Sequence, residues 1–182
     1  MRLAFLLFAV LGLSANAAEL TVSSPDDKIT LTITDSDTYS HYQVSFQGKQ
    51  VIRPSRLGFA FEKAKPLYRN LALTEVSRDS EDSTWEQPWG EQRVIRNHYN
   101  ELTVKLTDRD DKNNAFTLQV RVFNDGVGFR YHVKADGPRA IAREMTEFSI
   151  VDSHTATAYW IPGQGYERQE YLYRETPVQE VM

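Results

Sequence analysis

Between Phe116 and Val133 apolar and polar residues alternate twice, from Phe116 to Val122 and from Val127 to Val133, around Asn124-Asp125-Gly126. Successive side chains on a strand point to opposite faces, so this period of two gives each run one apolar face. Asn, Asp and Gly tolerate the positive φ that tight hairpin turns demand, so the second run is expected to return antiparallel to the first.

The same period recurs along the chain. Ile29, Leu31 and Ile33 alternate with threonines. Tyr42, Val44 and Phe46 repeat the pattern, and Gln47-Gly48-Lys49 is expected to turn the chain into a strand over 50–53 that Pro54 ends. Short strands are expected over 57–61 and 71–76, and Leu102, Val104 and Leu106 alternate cleanly. Residues 148–151 and 155–161 have strand composition, whereas 140–146 suits one helical turn or a loop. Asp108 to Asn114 is a charged and amide run, expected as a solvated hairpin loop. It lacks the glycine and glutamate that a calcium-binding EF-hand places at fixed positions. With no amphipathic helix of ordinary length, no repeat and no linker after the N-terminus, the pattern predicts one all-β domain, an antiparallel sandwich.

The first seventeen residues read differently. Arg2 gives a positive start, Leu3 to Leu13 an apolar run too short to span a bilayer, and Ser14 to Ala17 a small-x-small ending. Residues 1–17 are therefore expected to be a cleaved signal peptide, with 18–182 as an exported mature chain. The absence of cysteine rules out a disulfide framework and a lipid anchor on cysteine. The formal charge of −4 becomes −5 once Arg2 is removed, which argues against nucleic acid or an anionic membrane as partner.

Candidate chemistry concentrates in residues 84–102, T-W-E-Q-P-W-G-E-Q-R-V-I-R-N-H-Y-N-E-L. Such a stretch makes either a buried network or the wall of a ligand site. Trp85 and Trp89 offer flat faces that stack on sugar rings, but tryptophan's usual burial makes the core the expected place for one or both. His98 is expected as a hydrogen-bonded structural histidine, since no further zinc ligands fall at suitable spacing. Arg96 to Glu101 has the composition of a polar network. Glu86, Glu91, Glu101 and Glu170 are of the right type for the paired carboxylates of glycoside hydrolysis. Residues 159–171, with Trp160, Glu167 and Glu170, carry oxygen ligands that suit calcium but are too few to complete a site.

Residues 84–91 and 95–102, together with I-R-P-S-R-L-G (52–58), F-N-D-G-V-G-F-R-Y (123–131) and Y-W-I-P-G…Q-E-Y (159–171), resemble in order the N-terminal domain of glycoside hydrolase family 97. The resemblance implies a β-super-sandwich of the galactose-mutarotase-like kind. It also implies a periplasmic parent enzyme that cleaves α-linked glucose or galactose saccharides on a separate (β/α)₈ barrel. In that family a calcium ion is held mostly by barrel glutamates, with one ligand from the N-terminal domain that matches Glu170. The sequence contains no barrel, and the chain is expected to stop before the sandwich is finished. On this resemblance the chain is expected to be inactive by itself, with no catalytic residue of its own and no calcium bound without the barrel. The rival expectation is a free-standing carbohydrate-binding module using Trp85 and Trp89.

Overall fold

The computed structural model describes residues 17–134, 137, 139–152, 154–163 and 171–181. Four strands, β1 (Glu19–Ser23), β2 (Ile29–Thr34), β3 (His41–Phe46) and β4 (Lys49–Arg56), form one antiparallel sheet in that spatial order. A short β5 (Phe59–Phe61) follows. A second antiparallel sheet takes β6 (Leu71–Glu86), β7 (Val94–Asp108), β8 (Ala115–Phe123) and β9 (Val127–Val133), again in order. Two small pairs complete the described fold, β10 (Ile141–Glu144) with β5 and β11 (Thr157–Trp160) with β12 (Arg174–Pro177). Among the described residues the only helical element is a single 3-10 turn, Val178–Glu180. No helix among them is long and apolar enough to cross a membrane.

The two larger sheets share one core. Ile29, Leu31, Ile33, Tyr42 and Val44 of the first sheet lie in one buried cluster with Leu102, Val104, Leu106, Phe116, Leu118, Val120 and Val122 of the second. These are the alternating positions of the sequence, and their burial drives the sandwich together. Aromatic side chains fill one end. Phe129 meets Tyr42 at 5.2 Å between ring centres, and Tyr131 meets Phe59 at 4.7 Å, both edge to face.

Glycines act at two places. Gln47 and Gly48 both take positive φ, 49° and 75°, which is the two-residue turn whose twist suits the β3–β4 hairpin. Gly58 has φ of 108°, and a Cβ there would lie 1.8 Å from the Leu67 carbonyl oxygen. That close approach lets Phe59 and Leu67 exchange two backbone hydrogen bonds, 3.1 and 2.8 Å.

Five local expectations change. Residues 148–151 form no strand of their own, only an isolated bridge from Ile150 to Ile52. β4 continues through Pro54 to Arg56, because the proline falls at a bulge: Tyr42 pairs with Ser55 and Val44 with Ile52, so Arg53 and Pro54 together face Gln43 and the ladder asks no N–H of the proline. Residues 140–146 hold strand β10, paired with β5, and not a helical turn or loop. The β8–β9 hairpin forms as expected, yet none of Asn124, Asp125 and Gly126 has positive φ. Its turn closes through the Phe123 N–H donating to the Gly126 carbonyl at 2.8 Å, and the Asn124 side chain accepts from the Asp26 backbone at 3.0 Å. Finally, β6 does not stop near Val76 but runs ten residues further, to Glu86. Val76 is an extra residue in the ladder. Glu75 pairs with Val104 and Ser77 with Thr103, so one β7 step answers two on β6.

Candidate functional site

The long β6–β7 hairpin places the aromatic and charged stretch of the sequence. β8 accompanies β7 only as far as the Tyr99–Phe123 pair. Past that point five β6–β7 pairs, Asp82–His98 to Glu86–Val94, form a two-stranded arm. Every residue of β6 from Thr74 to Glu86 is exposed. An isolated two-stranded hairpin is marginal in water, and this arm is braced by ions. Arg96 donates to both oxygens of Asp82, at 2.7 and 2.8 Å, and this holds the Asp82 carboxyl below its usual range. Nearer the tip, Arg93 donates to Glu86 at 3.1 Å.

The turn at the tip is equally fixed. The Gln87 N–H donates to the Arg93 carbonyl at 3.0 Å, and its side-chain Nε2 donates to the Gln92 carbonyl at 2.7 Å. Gly90 takes φ of 110°, and a Cβ there would come within 2.7 Å of that same Nε2. Glu86, Gln87, Pro88, Trp89, Gly90 and Arg93 line an open pocket of about 500 Å³.

Both candidate tryptophans are exposed, Trp85 by 52 % and Trp89 by 80 %. The expectation of a core position is overturned, because neither face of the arm is covered by another sheet. Nor does their i,i+4 spacing, which an extended segment would place on one face, make them neighbours. Trp85 lies on β6 opposite Ile95, and Trp89 lies in the turn beyond Pro88.

His98 sits half-buried on β7 opposite Asp82, and no side-chain hydrogen bond to it is found among the described residues. The proposed network from Arg96 to Glu101 is divided by strand alternation. Arg96 and Asn100 point to the side of the first sheet, where Asn100 donates to the Ser23 carbonyl at 2.9 Å. Glu101 points to the opposite, outer face and begins a ladder across three strands. It accepts from Gln119 and from Arg121, each at 2.7 Å, and Gln119 accepts from Arg130 at 2.6 Å. The Arg121 guanidinium also lies 4.3 Å from the Tyr99 ring centre. Burial works to raise the Glu101 carboxyl, but the Gln119 and Arg121 hydrogen bonds hold it below its ordinary range. The residues of this ladder are cross-strand neighbours whose pairing only the hairpin register reveals.

Two of the four carboxylate candidates are engaged in ion pairs. Glu86 pairs with Arg93 and Glu101 with Arg121, while Glu91 is exposed in the turn. Asp35, 4 % exposed, is also fully engaged. It accepts from the Ala18 and Leu73 backbone N–H groups at 2.7 and 3.0 Å and from Arg109 at 3.1 Å, tying the start of β1 to β6. Among the described residues every carboxylate whose acidity the fold shifts is held low. A general acid for glycoside cleavage needs the opposite shift.

Glu170 and Glu167 lie outside the described residues, in the segment between β11 and β12, and so does most of the expected signal peptide. Among the described residues no three acidic or histidine side chains converge on a point that would hold a metal ion. The described residues by themselves thus do not form a calcium cage.

Fold and surface together define an antiparallel β-sandwich module with a projecting aromatic arm. Residues 22–182 match the glycosyl-hydrolase 97 N-terminal family, and the chain belongs to it. A retaining alpha-galactosidase of Bacteroides thetaiotaomicron is 30 % identical over 162 residues, which make up 88 % of this chain and 23 % of that protein. A Glycoside Hydrolase Family 97 enzyme from Pseudoalteromonas sp. strain K8 in complex with panose has the same fold, with a TM-score of 0.81 at 39 % identity, over 88 % of this chain and 25 % of that one. The same enzyme in complex with acarbose gives identical figures. The chain spans about a quarter of the length of these relatives.

Proposed function

We propose that this chain is the N-terminal β-sandwich portion of an exported, periplasmic α-glycosidase that acts on α-linked glucose or galactose saccharides. It packs against the catalytic (β/α)₈ barrel of that enzyme and lends Glu170 as one ligand to a calcium ion completed by barrel glutamates. The acid and base that cleave the glycosidic bond belong to the barrel. The observation that carries this reading is the family match over residues 22–182, combined with coverage of only a quarter of the relatives' length. The low-held carboxylates of the described residues support it, since none of them is suited to donate a proton near neutral pH. Its partners are neutral saccharides and the barrel, not nucleic acid or membrane.

The test is an assay of the purified mature chain on nitrophenyl α-glucoside and α-galactoside with calcium present. No turnover is expected. Hydrolysis that disappears in Glu170→Gln would overturn the reading.

A further inference from the structure

We infer that the turn at the tip of the β6–β7 arm is a saccharide-binding site of this chain itself, with Trp89 as the stacking platform. Three observations lead there. First, the indole of Trp89 is 80 % exposed, although a tryptophan gains more than most residues from burial. Second, the turn that presents it is rigid. It is closed by the Gln87–Arg93 backbone bond, bolted by the Gln87 side chain to the Gln92 carbonyl, sealed by Gly90 at positive φ, and anchored by the Glu86–Arg93 pair. A loop held this firmly around an outward indole loses little conformational freedom when a ligand arrives. Third, the pocket beside the indole is lined by Glu86, Gln87 and Arg93, which are hydrogen-bonding groups, with Pro88 the one further apolar side chain.

A flat aromatic face ringed by a carboxylate, an amide and a guanidinium matches a pyranose. The C–H face of the sugar stacks on the indole, and its hydroxyl groups donate to Glu86 and accept from Arg93. A protein partner would instead favour an apolar surround that keeps water from the anchor. Charge selects further. Residues 76–98 carry five carboxylates and three arginines, so a neutral saccharide is favoured over an acidic one. The choice of α-linked glucose or galactose units rests on the function proposed above; the site itself does not. It needs neither the barrel nor Glu170.

Titration of the full mature chain with maltotriose and with an α-galactoside tests this, read by tryptophan fluorescence and by saturation-transfer difference NMR. Saturable binding at millimolar concentration is expected with at least one sugar, weakened about tenfold or more in Trp89→Ala, partly kept in Trp89→Phe, and unchanged in Trp85→Ala. Absence of binding up to about 50 mM by a folded sample would overturn the inference. So would binding that Trp89→Ala leaves intact, or a turn that captures protein but no sugar. Failure here leaves the proposed packing against a barrel untouched, and turnover in the hydrolysis assay would leave this site untouched.

Discussion

Replacing Gly58 by alanine should be the most damaging single-methyl addition among the glycines of the fold. Its cost has two separable parts. An L-residue at φ of 108° carries strain of about 1–2 kcal/mol. The added Cβ would also sit 1.8 Å from the Leu67 carbonyl oxygen, so residues 58 and 67 must part. Parting them breaks the two Phe59–Leu67 hydrogen bonds and strains the Gly58 N–H contact to the Tyr131 hydroxyl, at about 1 kcal/mol each. The total is about 4–5 kcal/mol, or a fall in Tm of roughly 8–20 °C for a domain of this size. Gly48→Ala isolates the first part. Gly48 has φ of 75°, but nothing lies within 4 Å of its Cβ position, so a loss of about 1 kcal/mol is expected. Gly126, with open space and no positive φ, should accept alanine within about 0.5 kcal/mol. Urea and thermal melts of the three variants, read by circular dichroism, give the comparison. Equal losses in Gly58→Ala and Gly48→Ala would refute the steric argument.

The pH profile of stability should fall at both ends. The carboxyls of Glu147, bonded by Arg56, of Asp82, bonded by Arg96, and of Asp26, held at about 2 by Ser24 and Lys28, are below their unfolded values. Their stabilisation is present above the unfolded carboxylate range and is lost as pH falls through the folded one, between about 5 and 2. Tyr42, pushed up to about 12 by burial, acts in the other direction. Its contribution is present below the unfolded tyrosine pKa and lost as pH rises towards 12, so denaturant melts across pH should show this alkaline fall reduced in Tyr42→Phe. Phe116→Ala, at a position 2 % exposed in the shared core, should cost about 3–5 kcal/mol by the same melts, whereas Trp89→Ala should stay within about 0.5.

The strands that bury one face were readable from the sequence, because burial writes a period of two into β2, β3, β8 and the inner half of β7. β6 beyond Val76 was not. Its residues from Ser77 to Glu86 cover no core, so no apolar alternation marks them, and the strand is held by its ladder to β7. β10 failed for the same reason, being four residues long and exposed throughout. The tryptophans were misplaced because a general tendency to burial says nothing about where the second sheet ends. Of the site, the sequence marked the right stretch but not its geometry. Nothing in the spacing of Glu86, Gln87 and Arg93 announces that they brace one turn, and nothing near Glu101 announces Arg121, opposite it on the next strand, as its partner. The family resemblance, carried by whole motifs, survived where single-residue arguments did not.

The extra residue at Val76 has a consequence for the arm as a whole. Before it, the odd-numbered residues of β6, Leu71 and Leu73, point into the core; after it, the even-numbered ones, Arg78 to Thr84, share that side. The bulge thus works as a phase inverter placed upstream of every functional group on the strand. It is why Asp82 meets Arg96 on one side while Trp85 looks out from the other. Deleting that one residue would exchange the two sides of β6 from Ser77 onward without altering a single side chain there. A lineage of such proteins therefore has a one-codon route to re-aiming an arm, and need not rebuild the sandwich that carries it.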